Sequence, residues 1–189
     1  PGGDTGSRVA AGGEIVFHTG MTGYQEILTD PSYAGQIVLF TASHIGNYGN
    51  DDDWSEIGPE TGRQDAPGIK ARGLVVRSFH AGPVPNDRIS LDEFMKKNGV
   101  CGISDVDTRG ITLKTRKEGS HNGVIIAATD DNGSAPEGAA LEAVMEYLKK
   151  MPDMAGADLT GYVGTEKTEI FNEAGTPHVA LLDCGVKMN

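Results

Sequence analysis

The chain has 189 residues, 38% hydrophobic and 23% charged, which suits one domain with a buried core, or one domain plus a fragment of another. Its net charge of −11 argues against binding nucleic acid or an anionic membrane surface, because both would repel it. No apolar run approaches the roughly 20 residues of a membrane span, and the first residues lack a secretory-signal pattern. Two cysteines cannot form a disulfide framework, so we expect a cytoplasmic protein.

Two apolar runs in the first part of the chain, Ile15–Phe17 and Ile37–Thr41, predict strands, and no strand is evident before Gly13. Between them, Asp30-Pro31-Ser32 predicts a turn, because proline fixes one backbone dihedral angle and leaves the next side chain exposed. A glycine-bracketed loop, His44–Gly49, follows the second strand. This layout places backbone donors, a hydroxyl and a carboxylate at strand ends, where binding groups are common.

The middle of the chain predicts a loop, a strand and a helix. Residues 51–67 are acidic and rich in glycine and proline, so we expect an exposed loop. Trp54 within it either anchors the loop through its ring, which is the simpler interpretation, or contacts a partner. Ala71–Phe79 has a short apolar centre and predicts a strand. Ser90 and Glu93 then form a capping-box pattern, which predicts the start of a helix.

The second half alternates strands with helices, which favours an α/β domain. Short strands are predicted at Val100–Ile103 and Gly123–Ala128, on either side of a helix that Asp107 caps. Ser134 and Glu137 form a second capping-box pattern. The apolar residues of the helix that follows have helical spacing and predict one face on the core: Leu141, Val144, Met145 and Leu148.

The last part of the chain changes character twice. Residues 153–176 are polar and punctuated by glycine, which predicts a linker. His178–Gly185 is then a continuous apolar run closed by Asp and Gly, typical of a buried parallel strand that enters a turn before a helix. Because a buried central strand cannot stand alone, we expect it to begin a second, truncated domain.

Several blocks of this sequence resemble the amino-terminal domain of the carbamoyl phosphate synthetase small subunit. They are GEIVFHTGMTGYQEILTDPSYAGQIV (Gly13–Val38), HIGNYGN (His44–Asn50), GLVVRSF (Gly73–Phe79), SLDEFMKKNGVCGISDVDTRGIT (Ser90–Thr112) and EGSHNGVI (Glu118–Ile125). The closing HVALLDCGVKMN resembles the first strand of the glutamine amidotransferase domain that follows in that family. The resemblance implies an α/β fold, a β/β/α domain over residues 1–151, a linker over 152–176, and the start of the amidotransferase domain over 177–189.

The resemblance also implies a function that belongs to a larger assembly. Members of the family release ammonia from L-glutamine in the amidotransferase domain and pass it to a large synthetase subunit or domain, which makes carbamoyl phosphate from bicarbonate for pyrimidine or arginine synthesis. ATP and Mg²⁺ are expected on that synthetase, and no cofactor or metal is expected here. The family's catalytic cysteine, histidine and acid lie in motifs beyond Asn189, so this chain alone is expected to be inactive.

Three residues are candidates for a site in this chain. From the residues alone, the Ser32 hydroxyl simply closes its turn, whereas the resemblance implies that it hydrogen-bonds glutamine bound in the next domain. Asp30 either caps the turn, which is the common fate of an Asp before Pro, or pairs with Lys187 and so fixes the two domains around the ammonia path. We predict substrate binding for Ser32, orienting and not attacking, and a domain-interface role for Asp30 and Lys187.

Other reactive residues have simpler interpretations. Cys101 and Cys184 are predicted to be small buried hydrophobic residues and not nucleophiles. The five histidines show no metal-ligand spacing. The segment from Arg109 to Lys117 is locally basic, either as ordinary surface charge or as a docking patch for the synthetase. The alternative for the whole chain is a free-standing scaffold or regulatory domain that shares the fold.

Overall fold

A computed structural model describes residues 9–51, 54–57, 68–127 and 134–187. At its centre is a five-stranded sheet with the order β4-β3-β2-β1-β5. The strands are β1 (Val9–His18), β2 (Gln36–Phe40), β3 (Gly73–Val75), β4 (Cys101–Ile103) and β5 (Asn122–Ile126). The helices are α1 (Tyr24–Thr29), α2 (Leu91–Lys97), α3 (Thr108–Glu118), α4 (Gly138–Lys150) and α5 (Thr160–Val163).

Strands β1 to β4 run parallel, and β5 pairs antiparallel with β1. The register aligns the last residues of the parallel strands, since His18 pairs with Phe40 and Val75 pairs with Ile103. The carboxyl ends of four strands therefore meet at one edge of the sheet. In open α/β sheets this edge is where ligands usually bind.

Strand β2 lies at the middle of the sheet and is buried on both faces. Val38 and Phe40 belong to one apolar cluster, together with residues of α1, α2 and β3. Ile37 and Leu39 point to the opposite face and pack with Val75 and Ile125. Side chains alternate between the two faces along a strand, so a strand that is buried on both faces needs an apolar residue at every position. This explains the continuous apolar run in the sequence of β2.

Several predicted elements are confirmed. β2, β3, β4 and β5 fall where apolar runs predicted strands; β3 and β4 are shorter than predicted, and β2 and β5 begin one residue earlier and end earlier. The capping box of α2 is complete, because the Glu93 amide donates to the Ser90 hydroxyl at 3.2 Å and the Ser90 amide donates to the Glu93 carboxylate at 3.1 Å. Asp107 caps α3 by accepting the Gly110 amide at 3.0 Å. The mixed α/β class is confirmed as well.

Other predictions about the elements are wrong. β1 begins at Val9, earlier than the Gly13 limit that the sequence indicated. α4 begins at Gly138, and its N-cap Glu137 makes no side-chain capping bond, so the predicted capping box is absent. Of the four apolar residues predicted to face the core from α4, only Val144 is buried, and Leu141 and Met145 are 45% and 47% exposed.

Tyr147 makes part of the contact between α4 and the sheet. A Cβ atom added to Gly12 would lie 3.2 Å from its ring, so the ring packs against β1. Amphipathic spacing alone identifies the face of a helix but not how much of it the neighbouring sheet covers.

The carboxyl-terminal segment also differs from expectation. In the described residues 178–187 the chain forms no strand, and the side chains of Val179, Leu181 and Leu182 are 85%, 74% and 86% exposed. Cys184 is exposed, so its predicted burial is wrong, while Cys101 is half-buried as part of an apolar cluster. A strand requires a hydrogen-bonded neighbour, and none lies beside these described residues. The division of the chain into domains stays a prediction.

Candidate functional site

The Asp30–Tyr33 turn sits between α1 and the amino end of β2 and is fixed by its own hydrogen bonds. Asp30 ends α1, and its carboxylate Oδ1 accepts the Ser32 amide at 2.8 Å. Pro31 opens a single 3₁₀ turn, Pro31–Tyr33, in which the Tyr33 amide donates to the Asp30 carbonyl at 3.0 Å. Proline suits this first position because its missing N–H would have no partner there.

The structure contains the ion pair between Asp30 and Lys187 that the sequence analysis considered. Lys187 Nζ lies 2.6 Å from Asp30 Oδ2 and 3.7 Å from Glu56 Oε2. The Asp30 side chain is 9% exposed and that of Lys187 is 43% exposed. One ammonium group thus faces two nearly buried carboxylates, since the Glu56 side chain is 12% exposed. Whether the pair acts at a domain interface stays a prediction.

Opposing influences set the charge state of Asp30. Burial raises the pKa of its carboxyl group, whereas hydrogen bonds from Lys187 and from Ser32 lower it, and the net pKa lies below the ordinary value of 3.8. The pKa of Lys187 is raised, chiefly by its hydrogen bond to Asp30. Both groups are therefore charged near neutral pH, and the turn presents a compensated pair.

Ser32 is exposed at the apex of this turn. Its amide is held by Asp30 at 2.8 Å, and its hydroxyl also lowers the pKa of the Asp30 carboxyl group through a side-chain hydrogen bond. An exposed hydroxyl on a rigid turn can donate one hydrogen bond and accept two, which suits it to orient a bound molecule. Its predicted role in substrate binding remains a prediction.

The glycine-bracketed loop locks the start of α1 and so supports the turn from the other end of that helix. The Tyr48 hydroxyl accepts the Gly23 amide at 2.7 Å, and the Tyr24 hydroxyl donates to the Gly49 carbonyl at 2.6 Å. The two rings stack with centroids 4.3 Å apart. Burial raises the pKa of both tyrosines, which keeps their hydroxyls neutral.

Trp54 anchors the acidic loop, most of which lies outside the described residues. Its ring receives the Arg88 guanidinium at 4.4 Å and the edge of Tyr48 at 5.7 Å. The Glu56 amide donates to the Thr29 hydroxyl at 3.0 Å, which brings the Glu56 carboxylate towards Lys187. These contacts agree with the anchoring interpretation of Trp54.

Gly185 allows the carboxyl-terminal segment to reach the turn. Its φ of 107° lies in the left-handed region, and a Cβ there would stand 3.0 Å from Val163 and 3.2 Å from Pro31. The Asp183 carboxylate also accepts the amides of Gly185 and Val186, each at 2.8 Å. This tight bend carries Lys187 to Asp30.

Sequence reasoning missed Glu56 and the role of Gly185. Glu56 belongs to a loop whose many acids look alike, and nothing in its spacing marks it as a neighbour of Lys187. The glycine at 185 was a clearer signal, because Asp-x-Gly after an apolar run predicts a bend with positive φ.

A second site lies at the other end of β2, where the carboxyl ends of β2 and β3 meet α3. This groove encloses about 610 Å³. We call it the arginine groove, and its lining residues are Thr41, Ser43, Arg77, Asp107, Thr108, Arg109, Thr112, Leu113 and Arg116. The basic segment noted in the sequence contributes two of its arginines, and Arg77 is added by the fold.

The histidines do not gather into a metal site. Within the described ranges, no group of three or more His, Cys, Asp or Glu side chains has the geometry to hold a metal ion. His44 Nε2 and His80 Nδ1 lie 3.4 Å apart, and His44 Nδ1 lies 3.1 Å from the Ser78 hydroxyl.

No helix in the described part of the chain has both the length and the apolar character that spanning a membrane requires.

The structure is thus an α/β domain built on a mixed sheet, in which four of the five strands are parallel. The chain matches the family model of the carbamoyl-phosphate synthase small chain, CPSase domain, over residues 1–125. The chain therefore belongs to this family.

Individual relatives agree with the assignment. The chain is 40% identical over 183 residues to the carbamoyl phosphate synthase small chain of Methanopyrus kandleri, covering 96% of this chain and 46% of the relative. It is 37% identical over 202 residues to that of Pectobacterium atrosepticum, covering 97% and 48%. It is 39% identical over 177 residues to that of Thermotoga maritima, covering 93% and 40%. The chain spans about half the length of these curated relatives.

Proposed function

We propose that this chain is the amino-terminal, non-catalytic domain of a glutamine-dependent carbamoyl phosphate synthetase. In this role it packs on a glutamine amidotransferase domain and on the large synthetase subunit or domain. It shapes the glutamine pocket and the ammonia route, and the bond-making chemistry takes place in those partners. The ligase activity is then a property of the assembly and not of these 189 residues.

The observation that carries the proposal is the exposed Ser32 hydroxyl on the rigid Asp30–Tyr33 turn. Ser32 is exposed, and Asp30 and Pro31 hold its backbone in place, while the Asp30 carboxylate is also a hydrogen-bond partner of its hydroxyl. A group that orients a ligand loses little rotational freedom on binding if its backbone is already fixed. Ser32 therefore contributes a hydrogen bond to glutamine from outside the amidotransferase domain.

The Asp30–Lys187 ion pair fixes the position of the turn relative to the carboxyl-terminal segment. Lys187 comes from the segment that resembles the first strand of the amidotransferase domain, and it contacts Asp30 at 2.6 Å. A fixed contact at this point holds the Ser32 turn in register with the neighbouring pocket. It also helps to close the route of ammonia, which water would otherwise protonate near neutral pH and so remove as a nucleophile.

The large synthetase partner completes the proposal. It would bind ATP and Mg²⁺ and use the ammonia to form carbamoyl phosphate from bicarbonate. The product would serve pyrimidine or arginine synthesis, for which carbamoyl phosphate is the shared precursor.

The experiment that tests the proposal separates the two nitrogen sources in the complete enzyme. In Ser32→Ala, carbamoyl phosphate synthesis from glutamine falls about tenfold, the loss expected for one hydrogen bond to a charged ligand. Synthesis from added ammonia remains within twofold of the wild type, because ammonia bypasses the glutamine pocket.

Ser104→Ala is the matched control, since Ser104 is also an exposed serine but follows β4 at the opposite edge of the sheet. It leaves both activities unchanged. Equal loss of both activities in Ser32→Ala, or no loss of either, would contradict the role proposed for Ser32.

A further inference from the structure

We propose that the arginine groove binds a hydroxyl-bearing phosphate monoester, such as a sugar phosphate. This site is separate from the Ser32 turn, and the inference does not depend on the proposed function. It lies at the carboxyl ends of β2 and β3, the edge of an open parallel sheet where ligands usually bind.

The shape of the groove favours a small molecule. Its volume of about 610 Å³ falls in the usual range for small-ligand pockets, roughly 300–1,000 Å³. The lining combines three arginines with four hydroxyl side chains, one carboxylate and the leucine side chain of Leu113. A ligand that fits this lining carries negative charge and many hydrogen-bonding groups.

The charge of the groove favours a dianion. Three arginines against one lining carboxylate, Asp107, leave an excess of two positive charges in a chain whose net charge is −11. Arg77 lies 3.8 Å from Asp105, but both side chains are more than half exposed, so that pair contributes little. In the described part of the chain, Arg109 and Arg116 have no acidic partner within 4.0 Å.

The type of basic residue favours phosphate. Arginine presents a planar fork of donors that matches the oxygens of a phosphate group in a bidentate way. Arg109 and Arg116 are seven residues apart on α3, which is about 10 Å along a helix. They therefore start from different heights along one wall of the groove, and a ligand that extends along the helix can contact both.

Asp107 explains why the ligand carries hydroxyl groups. One of its carboxylate oxygens accepts the Gly110 amide at 3.0 Å, and the side chain also lines the groove. A carboxylate repels a second anion but accepts hydrogen bonds from hydroxyl groups. A sugar phosphate satisfies both, with its phosphate on the arginines and a hydroxyl on Asp107.

Isothermal titration calorimetry on the full chain tests the assignment, with ribose 5-phosphate, inorganic phosphate, citrate and a short poly-glutamate peptide as probes. Ribose 5-phosphate binds saturably and at least tenfold more tightly than the other three. Arg116→Ala weakens this binding about tenfold, the usual loss for one charge-assisted contact. Lys114→Ala, a cation on the same helix outside the groove lining, changes it less than twofold.

Asp107→Asn gives the most specific signature, because asparagine also caps helices well and α3 is retained. Inorganic phosphate then binds more tightly, since a repelling charge is gone, whereas ribose 5-phosphate binds more weakly relative to phosphate. The proposal is overturned if ribose 5-phosphate does not bind, or if Lys114→Ala weakens it as much as Arg116→Ala. It is also overturned if citrate or the acidic peptide binds more tightly, the latter making the groove a protein interface.

Discussion

The charged side chains at the two ends of strand β2 differ in whether they have ion-pair partners. At its amino end, Asp30 is nearly buried, is hydrogen-bonded by the Ser32 amide and is paired with Lys187. At its carboxyl end, about 13 Å further along the strand, Arg109 and Arg116 face an open groove and make no ion pair with described residues. The first arrangement is complete within the chain, and the second is not.

The difference shows which kind of role each end can play. A compensated turn keeps its geometry without a ligand, so it can present Ser32 to another domain in a fixed position. An uncompensated cluster of cations gains most when an anion arrives, because its mutual repulsion is then relieved. We therefore expect substitutions at the turn to affect stability and substitutions in the groove to affect binding.

The largest effect on stability is expected for Asp30→Ala. The change removes the acceptor of the Ser32 amide and the partner of Lys187, and loss of a capping aspartate costs about 1–2 kcal/mol. Most of this comes from the turn, because Lys187 is 43% exposed and its pairing is screened by water. Urea unfolding measures the loss.

Asp92→Ala serves as control for that measurement, since it breaks the exposed pair between Asp92 and Lys96, 2.7 Å apart on α2. It leaves the unfolding midpoint almost unchanged. If both variants shift the midpoint equally, the contrast between a buried, built turn and ordinary surface charge does not hold.

A smaller effect is expected for Gly185→Ala. The new Cβ would meet Val163 and Pro31 at a backbone angle that side chains avoid, so the carboxyl-terminal segment lifts away from the turn. The loss is limited to the contribution of that contact, about 1 kcal/mol. Hydrogen exchange at the Gly185 and Val186 amides becomes faster while the sheet stays protected.

Gly156→Ala separates strain from contact. Gly156 also has a positive φ, 80°, but a Cβ there meets nothing within 4 Å. Its variant leaves the exchange of the Gly185 amide unchanged. The same acceleration in both variants would mean that the approach to Pro31 is unimportant.

The pH dependence of stability sharpens the same contrast. Because the pKa of Asp30 is lowered on folding, its contribution is present above the unfolded pKa of about 3.9 and is lost as pH falls through the lower folded pKa. Because the pKa of Lys187 is raised, its contribution is present below about 10.4 and is lost as pH rises through the higher folded pKa.

The difference in unfolding free energy between the wild type and Asp30→Asn is therefore constant from about pH 5 to 9 and shrinks towards pH 3. Urea unfolding at several pH values measures it. A difference that grows as the pH falls would give Asp30 a raised pKa and contradict the paired state.

The smallest effect is expected in the groove. Arg109→Ala and Arg116→Ala change the free energy of unfolding by less than about 0.5 kcal/mol, because both side chains are exposed and unpaired among the described residues. Urea unfolding in low and high salt is the check. A loss as large as that of Asp30→Ala would show that these arginines hold the fold.

The sequence predicted those features whose signals are local. β2 is a continuous apolar run, Ser90 and Glu93 form a reciprocal cap, and Asp107 begins a helix, and each follows from a few neighbouring residues. α1 was missed because its six residues are too few to show a helical period, and Gln25 and Thr29 look polar although they are buried.

Features that depend on distant residues were predicted only in part. The Asp30–Lys187 contact was considered because family resemblance brought two distant segments together. The arginine groove was not, since Arg77 follows β3 and Arg109 begins α3, and only the parallel register of the sheet brings them to one edge. Glu56 likewise reaches Lys187 through a hydrogen bond that no pattern encodes.

We propose that Asp30 and Lys187 act as one unit to hold the Ser32 turn against the glutamine-handling domain. A charge swap would place a carboxylate at position 187 beside Glu56, which lies 3.7 Å from the present ammonium, so neutral substitutions test the claim more cleanly. The measurement is carbamoyl phosphate formed per glutamine hydrolysed in the complete enzyme, for Asp30→Asn, Lys187→Gln and the double variant. Each single change is expected to lower this ratio, and the double variant is expected to be no lower than the worse single one. A ratio that stays at the wild-type value, or losses that multiply in the double variant, would contradict it.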